Sequence, residues 1–354
     1  MTGLQERAAW TGATIDYRSD GLHTLTAAEV AEIDAALGHL RSLGELDFPA
    51  ITQETFPLPD LGGFLRDLRH ELRFGRGFLL LRGIPRERYS TDDMARIYFG
   101  LGAHIGVPVP QSWQGELLGH VIDVSDIEPG ARGYHAGGAQ RFHTDSCDVV
   151  SLMCLQAAKS GGASRICSAI AVHRRLERER PDLLQTLYDG FIFRRREVDA
   201  DHGTGILVRR VSVFARSGEE VSVYLSGDYP NRAVAAGDAV MTPVQREALD
   251  EVQRIAASPD TYLDMNIAEG DIQFLNNRLL LHGRTGYEDH HDMARRRHLM
   301  RLWLTVPEWP ALPAGQAMHT AEDHPLWLRQ RTALMELPSR YLAEITARHS
   351  ALAH

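Results

Sequence analysis

His143-Thr144-Asp145, answered far along the chain by His282 in Asn277-Arg-Leu-Leu-Leu-His282-Gly-Arg284, restricts the fold more than any other feature. Two imidazoles and one carboxylate form the ligand set that leaves half of an octahedral Fe(II) site open. Such a set works only if segments far apart in sequence meet at one point. A β-strand suits the near pair, because residues i and i+2 of a strand face the same side. The apolar run at 149–155 follows closely and sets the motif against a core.

The HxD motif by itself is weak. Among 17 histidines a chance match is expected, and His290-His291-Asp292 is a second one. That copy sits in the polar stretch Tyr287-Glu-Asp-His-His-Asp292 and reads as a solvated loop. Cys147, Cys154 and Cys167 fit neither a disulfide framework nor a CxxC zinc pattern, so they read as small buried hydrophobes. A formal charge of −9 argues against a nucleic-acid partner. No apolar stretch reaches the roughly 18 residues of a membrane span, so no membrane partner is expected. The first residues lack an apolar leader core, and with unpaired cysteines this points to a reducing cytoplasm, which also keeps iron ferrous.

Apolar periodicity predicts helices over 26–43, with Ala28, Ile33, Leu37 and Leu40 on the buried side, and over 64–74, 91–101 and 242–257. The stretch 168–189 is helical in character, and helices return from Trp327 onward. Strands are predicted at 77–83, 120–124, 149–155, 271–281 and 297–306, with 211–225 a strand pair turning at Ser217-Gly218. Ligand-bearing strands near both ends of one β assembly, interrupted by helices, predict a mainly β (α+β) fold. Its core is a double-stranded β-helix, or jelly-roll, over about 75–306. N-terminal helices over about 26–74 and a C-terminal helical region over about 325–354 flank it. No repeat or linker cuts the chain, so 1–354 reads as a single domain.

In the strand near 297–306, alternation puts Arg297, Leu299, Arg301 and Trp303 on one face. A guanidinium facing a barrel interior needs a carboxylate, which its planar fork grips with two hydrogen bonds. Arg295 and Arg296 read as solvated. Gln111, Trp113, Tyr134 and His135 lie on segments able to wall a pocket.

Together these pieces resemble the TauD/TfdA-like Fe(II)- and 2-oxoglutarate-dependent dioxygenases. The likeness runs through Gly77-Phe-Leu-Leu-Leu-Arg-Gly83-Ile-Pro85, Phe142-His143-Thr-Asp145, Lys159-Ser-Gly161-Gly162-Ala-Ser164 and Gly270-Asp271. It continues through the His282 segment and Arg297-His-Leu-Met-Arg301, in order. The resemblance implies that His143, Asp145 and His282 ligate Fe(II), with 2-oxoglutarate and O2 as cosubstrates. It implies that Arg297 takes the distal carboxylate of 2-oxoglutarate, helped by Ser164 where the family often has threonine. Asn277 matches an asparagine near cosubstrate or substrate, and Arg301 would sit nearer the substrate.

Halogenating members of that family typically lose the iron carboxylate, so with Asp145 retained the resemblance implies hydroxylation of a small-molecule C–H bond, or another outcome of hydrogen abstraction, with release of succinate and CO2. Ala139 stands where taurine-processing members carry asparagine, which speaks against taurine itself. Two rival readings use the same residues: a non-oxidative jelly-roll isomerase or hydrolase, and a catalytically silent small-molecule binding module. A symmetric homo-oligomer is the default for the assembly.

Overall fold

A computed structural model describes residues 5–128, 133–195, 207–226, 228–313, 315–316 and 323–352. The helix Ala27–Ser42 begins at Thr26, whose side chain accepts from Glu29 N while Glu29 bonds back to Thr26 N. This reciprocal cap satisfies two otherwise orphaned amides. Ile33, Ala36, Leu37 and Leu40 are its buried residues; Ala28, expected among them, is exposed in the first turn. Leu61–Phe74 and Thr91–Ala103 follow, the latter capped by Ser90. The predicted helix over 168–189 breaks into Ala169–Glu179 and Pro181–Asp189. Pro181 lacks an N–H and cannot continue a helix, but it suits the first position of the next one.

Two sheets make the jelly-roll core. The larger orders Leu22–Thr24, Phe78–Arg82, Ile272–Asn276, Val149–Gln156, His298–Thr305 and Val107–Pro108, and Leu118–Ile122 also pairs with His298–Thr305. The smaller orders Tyr262–Met265, Ser164–Ser168, Leu280–Arg284 and Gln140–His143. The predicted strand over 271–281 is therefore two strands in different sheets, joined by a turn that carries Asn277.

The larger sheet is buried on both faces, which explains its near-continuous apolar runs. Met300, Leu302 and Leu304 pack with the N-terminal helices in one cluster that includes Leu65, Leu72, Tyr98 and Phe99. Trp303 instead joins a second cluster with Val150, Leu275, Ile166 and Leu280. Alternation along His298–Thr305 thus sends one set of side chains to the helical layer and the other, Arg301 and Trp303, toward the smaller sheet. The three cysteines are free and buried. His291 and Asp292 are exposed in a turn, and Asp292 accepts from Ala294 N, as befits a solvated loop. Among the described residues no helix is long and apolar enough to cross a membrane.

Candidate active site

The smaller sheet sets His143 directly opposite His282 in antiparallel register, with ring centroids 4.3 Å apart. The strand ends at His143, so Asp145 lies in the loop just beyond it and not, as strand alternation suggested, in the strand itself. Asn277 holds that loop. Its Oδ1 accepts from Asp145 N at 3.0 Å, and its Nδ2 donates to Asp145 O and, at 3.1 Å, to Cys147 O. Candidate ligand atoms of His143, Asp145 and His282 all lie within 4.8 Å of one another. Adjacent ligands of an octahedral ion stand about 3 Å apart, so a modest contraction closes the three on one metal.

The protonation states suit that role. His143 Nδ1 donates to Arg141 O at 2.9 Å, the kind of backbone hydrogen bond that orients a metal-binding imidazole. Burial pushes His282 down to about 3, so its ring is neutral at physiological pH. Its Nε2 lies 3.8 Å from Asp145 Oδ2, and its Nδ1 has no hydrogen-bond partner among the described residues. Burial also opposes the charge on Asp145, yet Arg301, aided by the two imidazoles and Trp303, holds the carboxylate below its usual range. Trp303 Nε1 donates to Asp145 Oδ2 at 2.9 Å, and Arg301 Nη1 stands 3.5 Å from the same oxygen.

A cavity of about 690 Å³ opens over His143 and Asp145, within the size range of small-molecule sites. Trp303 and Arg301 line it from the larger sheet, and Tyr224, Tyr229, Asn231 and Arg246 close it from the inserted segment. Those four walls escaped the sequence reading. Nothing in residues 224–246 alternates or repeats in a way that marks a pocket. Of the expected wall residues, Tyr134 lines the cavity. Gln111 acts one step back: its Oε1 accepts from Arg301 Nε at 2.7 Å and its Nε2 donates to Arg301 O.

Arg297 and Ser164 occupy a neighbouring part of the interior. Ser164 pairs with Arg284 across the smaller sheet, and its hydroxyl donates to Gln273 Oε1 at 3.1 Å. Arg297 is buried, reaches Gly162 O at 3.3 Å, and leaves Nη1 without a partner among the described residues. Gly162 has φ +74, and a Cβ there would stand 3.0 Å from Arg297 Nε, so a side chain would crowd the guanidinium. Burial lowers the Arg297 pKa from its ordinary value. Arg284 and Tyr287 complete this region, a role the sequence did not reveal. Arg301 lines the cavity. Asn277 has its amide engaged with the 145–147 backbone and is not among the residues lining the cavity. Arg296, read as solvated, is buried in a two-pronged pair with Asp126.

Residues 41–303 match the family described as taurine catabolism dioxygenase TauD, TfdA family. The chain belongs to the TauD/TfdA dioxygenase family. Iron, 2-oxoglutarate and O2 are therefore its cofactor and cosubstrates, and its core is that family's jelly-roll. This membership sets aside the non-oxidative metalloenzyme and the silent binding module. Relatives of this TauD/TfdA member include FR-33289 synthase of Streptomyces rubellomurinus, 26% identical over 88% of the chain and 93% of the relative. A taurine hydroxylase-like protein, SAT17, of Stachybotrys chartarum is 32% identical over 84% of the chain and 79% of its own length. Among solved structures, an asparagine oxygenase holding Fe(II), hydroxyasparagine and succinate shares the fold. The TM-score is 0.63 at 18% identity, over 80% of this chain and 93% of that one.

Proposed function

We propose that the chain, working as one domain over 1–354, hydroxylates a C–H bond of a small polar molecule held in the cavity above His143 and Asp145. His143, Asp145 and His282 are the proposed iron ligands, Arg297 the clamp for the distal carboxylate of 2-oxoglutarate, and Ser164 a hydroxyl beside it. The observation that carries this reading is the convergence of two imidazoles and a carboxylate, two of which, His143 and Asp145, line a substrate-sized cavity. Ferrous iron bound there, with 2-oxoglutarate and O2, supplies the oxidising chemistry and yields succinate and CO2.

The protein's own contribution is orientation and shielding. The Arg141 carbonyl fixes the His143 tautomer. Trp303 and Arg301 meet Oδ2 of Asp145, which fixes the carboxylate in place and keeps it charged. Tyr224, Tyr229 and Trp303 give the cavity aromatic walls that hold a substrate carbon near the metal side and displace water. Arg301 faces the cavity while already close to Asp145, so a substrate anion is bound there by sharing the guanidinium and not by taking it over.

The test is a substrate panel of amino acids, phosphonates and nucleotides, scored for succinate release together with product gaining one oxygen atom. Desaturated or cyclised product in place of the alcohol overturns hydroxylation. Absence of 2-oxoglutarate binding to the anaerobic Fe(II) protein overturns the assignment of the site.

A further inference from the structure

Arg284 follows His282 by two positions on Leu280–Arg284, and His282 and Arg284 face Ile166 and Ser164 of the neighbouring strand. Cross-strand partners and i, i+2 neighbours share a face, so Arg284, Ser164 and His282 look into one interior. The Arg284 side chain is tethered by one nitrogen only: Nη2 donates to Ala136 O at 2.6 Å and to Gly138 O at 2.7 Å. Among the described residues its Nε and Nη1 are buried and have no hydrogen-bond partner within normal distance, and the same holds for Arg297 Nη1 and the Tyr287 hydroxyl. The guanidinium carbons of Arg284 and Arg297 lie 4.8 and 5.1 Å from the centroid of the same Tyr287 ring. Both arginines are at most 6% exposed, and neither side chain has a carboxylate within ion-pair distance among the described residues.

Buried polar hydrogens without acceptors are rare because each forfeits its hydration. Two such cations side by side repel as well. One ligand relieves all of this at once: an anion with two oxygens and several lone pairs, which is what a carboxylate offers. We propose that Arg284 and Tyr287 join Arg297 in a three-sided seat for the distal carboxylate of 2-oxoglutarate, and that this seat selects a 2-oxo diacid over a 2-oxo monoacid. The proposal rests on the assignment of Arg297 made above. The tether to 136–138 gives Arg284 a second consequence, because the loop carrying Tyr134 into the cavity is pinned by the same side chain that meets the cosubstrate.

The experiment is calorimetric titration of the Zn(II)-loaded protein, which cannot turn over, with 2-oxoglutarate and with 2-oxobutyrate. Arg284→Leu is expected to weaken 2-oxoglutarate by roughly tenfold or more, and Tyr287→Phe by roughly threefold. Both leave 2-oxobutyrate within about twofold of wild type, because that ligand has no distal carboxylate. A loss equal for both ligands assigns Arg284 to loop architecture alone and overturns the proposal, as does no loss for either. Should Arg284→Leu not fold, Tyr287→Phe removes a single oxygen and carries the same comparison. Arg297→Leu separates the two levels of inference. If it leaves the diacid preference intact while Arg284→Leu abolishes it, the Arg297 clamp is wrong and Arg284 stands; the reverse pattern sinks only Arg284.

Discussion

Arg278 and Arg297 are both cations taken largely out of water, and their surroundings differ in kind. Arg278 lies against Asp148 through two nitrogens, and its Nη1 donates to Pro310 O at 2.5 Å. Asp148 in turn accepts from Val306 N at 2.9 Å. That region ties the loop after Asp145 to the end of His298–Thr305, and every charge in it is answered by the protein. Around Tyr287 the charges are left open: among the described residues Arg284 and Arg297 have unmet hydrogens and no opposing carboxylate. The first arrangement holds a fold, whereas the second is completed by something the chain does not encode. Arg301 stands between them, compensated by Asp145 at 3.5 Å yet facing the cavity.

The comparison breaks most visibly at Asp145. Asp145→Ala removes both a proposed iron ligand and the counter-charge of Arg301. Substrate-coupled succinate formation is expected to fall by more than about 100-fold, beyond what losing an outer partner of a metal site costs. Retained turnover, measured with metal content in parallel, removes Asp145 from the ligand set.

Arg278→Met strands the buried Asp148 carboxylate. It should cost about 3 kcal/mol in urea unfolding with 2-oxoglutarate affinity nearly unchanged; a lost affinity at full stability reverses the roles assigned to the two regions. Trp303→Phe deletes the indole N–H that orients Asp145, and a roughly tenfold weaker metal affinity is expected, read by competition with a chelator.

A third way to bury a titratable group is neutrality. His120 Nδ1 meets His298 Nε2 at 2.9 Å in a fully buried pair. Burial pushes His120 down to about 3 and His298 well below its ordinary value. Between pH 6.5 and 3 the unfolded chain binds protons the folded one refuses, so stability declines as pH falls through that window. The slope is about 1.4 kcal/mol per pH unit for each such histidine, and His120→Gln should flatten it between pH 7 and 5. The smallest expected effect is the most diagnostic. Arg297→Met should change the stability of the metal-free protein by less than about 1 kcal/mol, or raise it, since among the described residues no carboxylate is stranded and only the long contact to the Gly162 carbonyl is lost. The variant should lose the rise in melting temperature that 2-oxoglutarate gives the Zn(II)-loaded wild type; a large destabilisation without ligand shows that Arg297 is structural after all.

Much of the architecture was legible because periodicity is local. The apolar positions of Ala27–Ser42, the strand Val149–Gln156 and the alternation of Arg301 and Trp303 followed from neighbours a few residues away. His143, Asp145 and His282 stood out because their chemistry is rare in that pattern. The site's supporting cast was less visible. Asn277 looks like any turn asparagine until the loop of Asp145 folds over it, and Arg296 looks solvated until Asp126 arrives. Arg284 and Tyr287 sit in polar sequence with no period at all, and the cavity walls at 224–246 come from an insertion whose path only packing decides.

From the amino-acid order alone came the donor types, the β core with its helical layers, and the kind of chemistry they permit. Tertiary structure decided which charges are answered by the protein and which are left for a ligand. Periodicity is written between neighbours in the chain, but the neutralisation of a buried ion depends on groups more than a hundred positions away, and only the closed barrel brings them within reach.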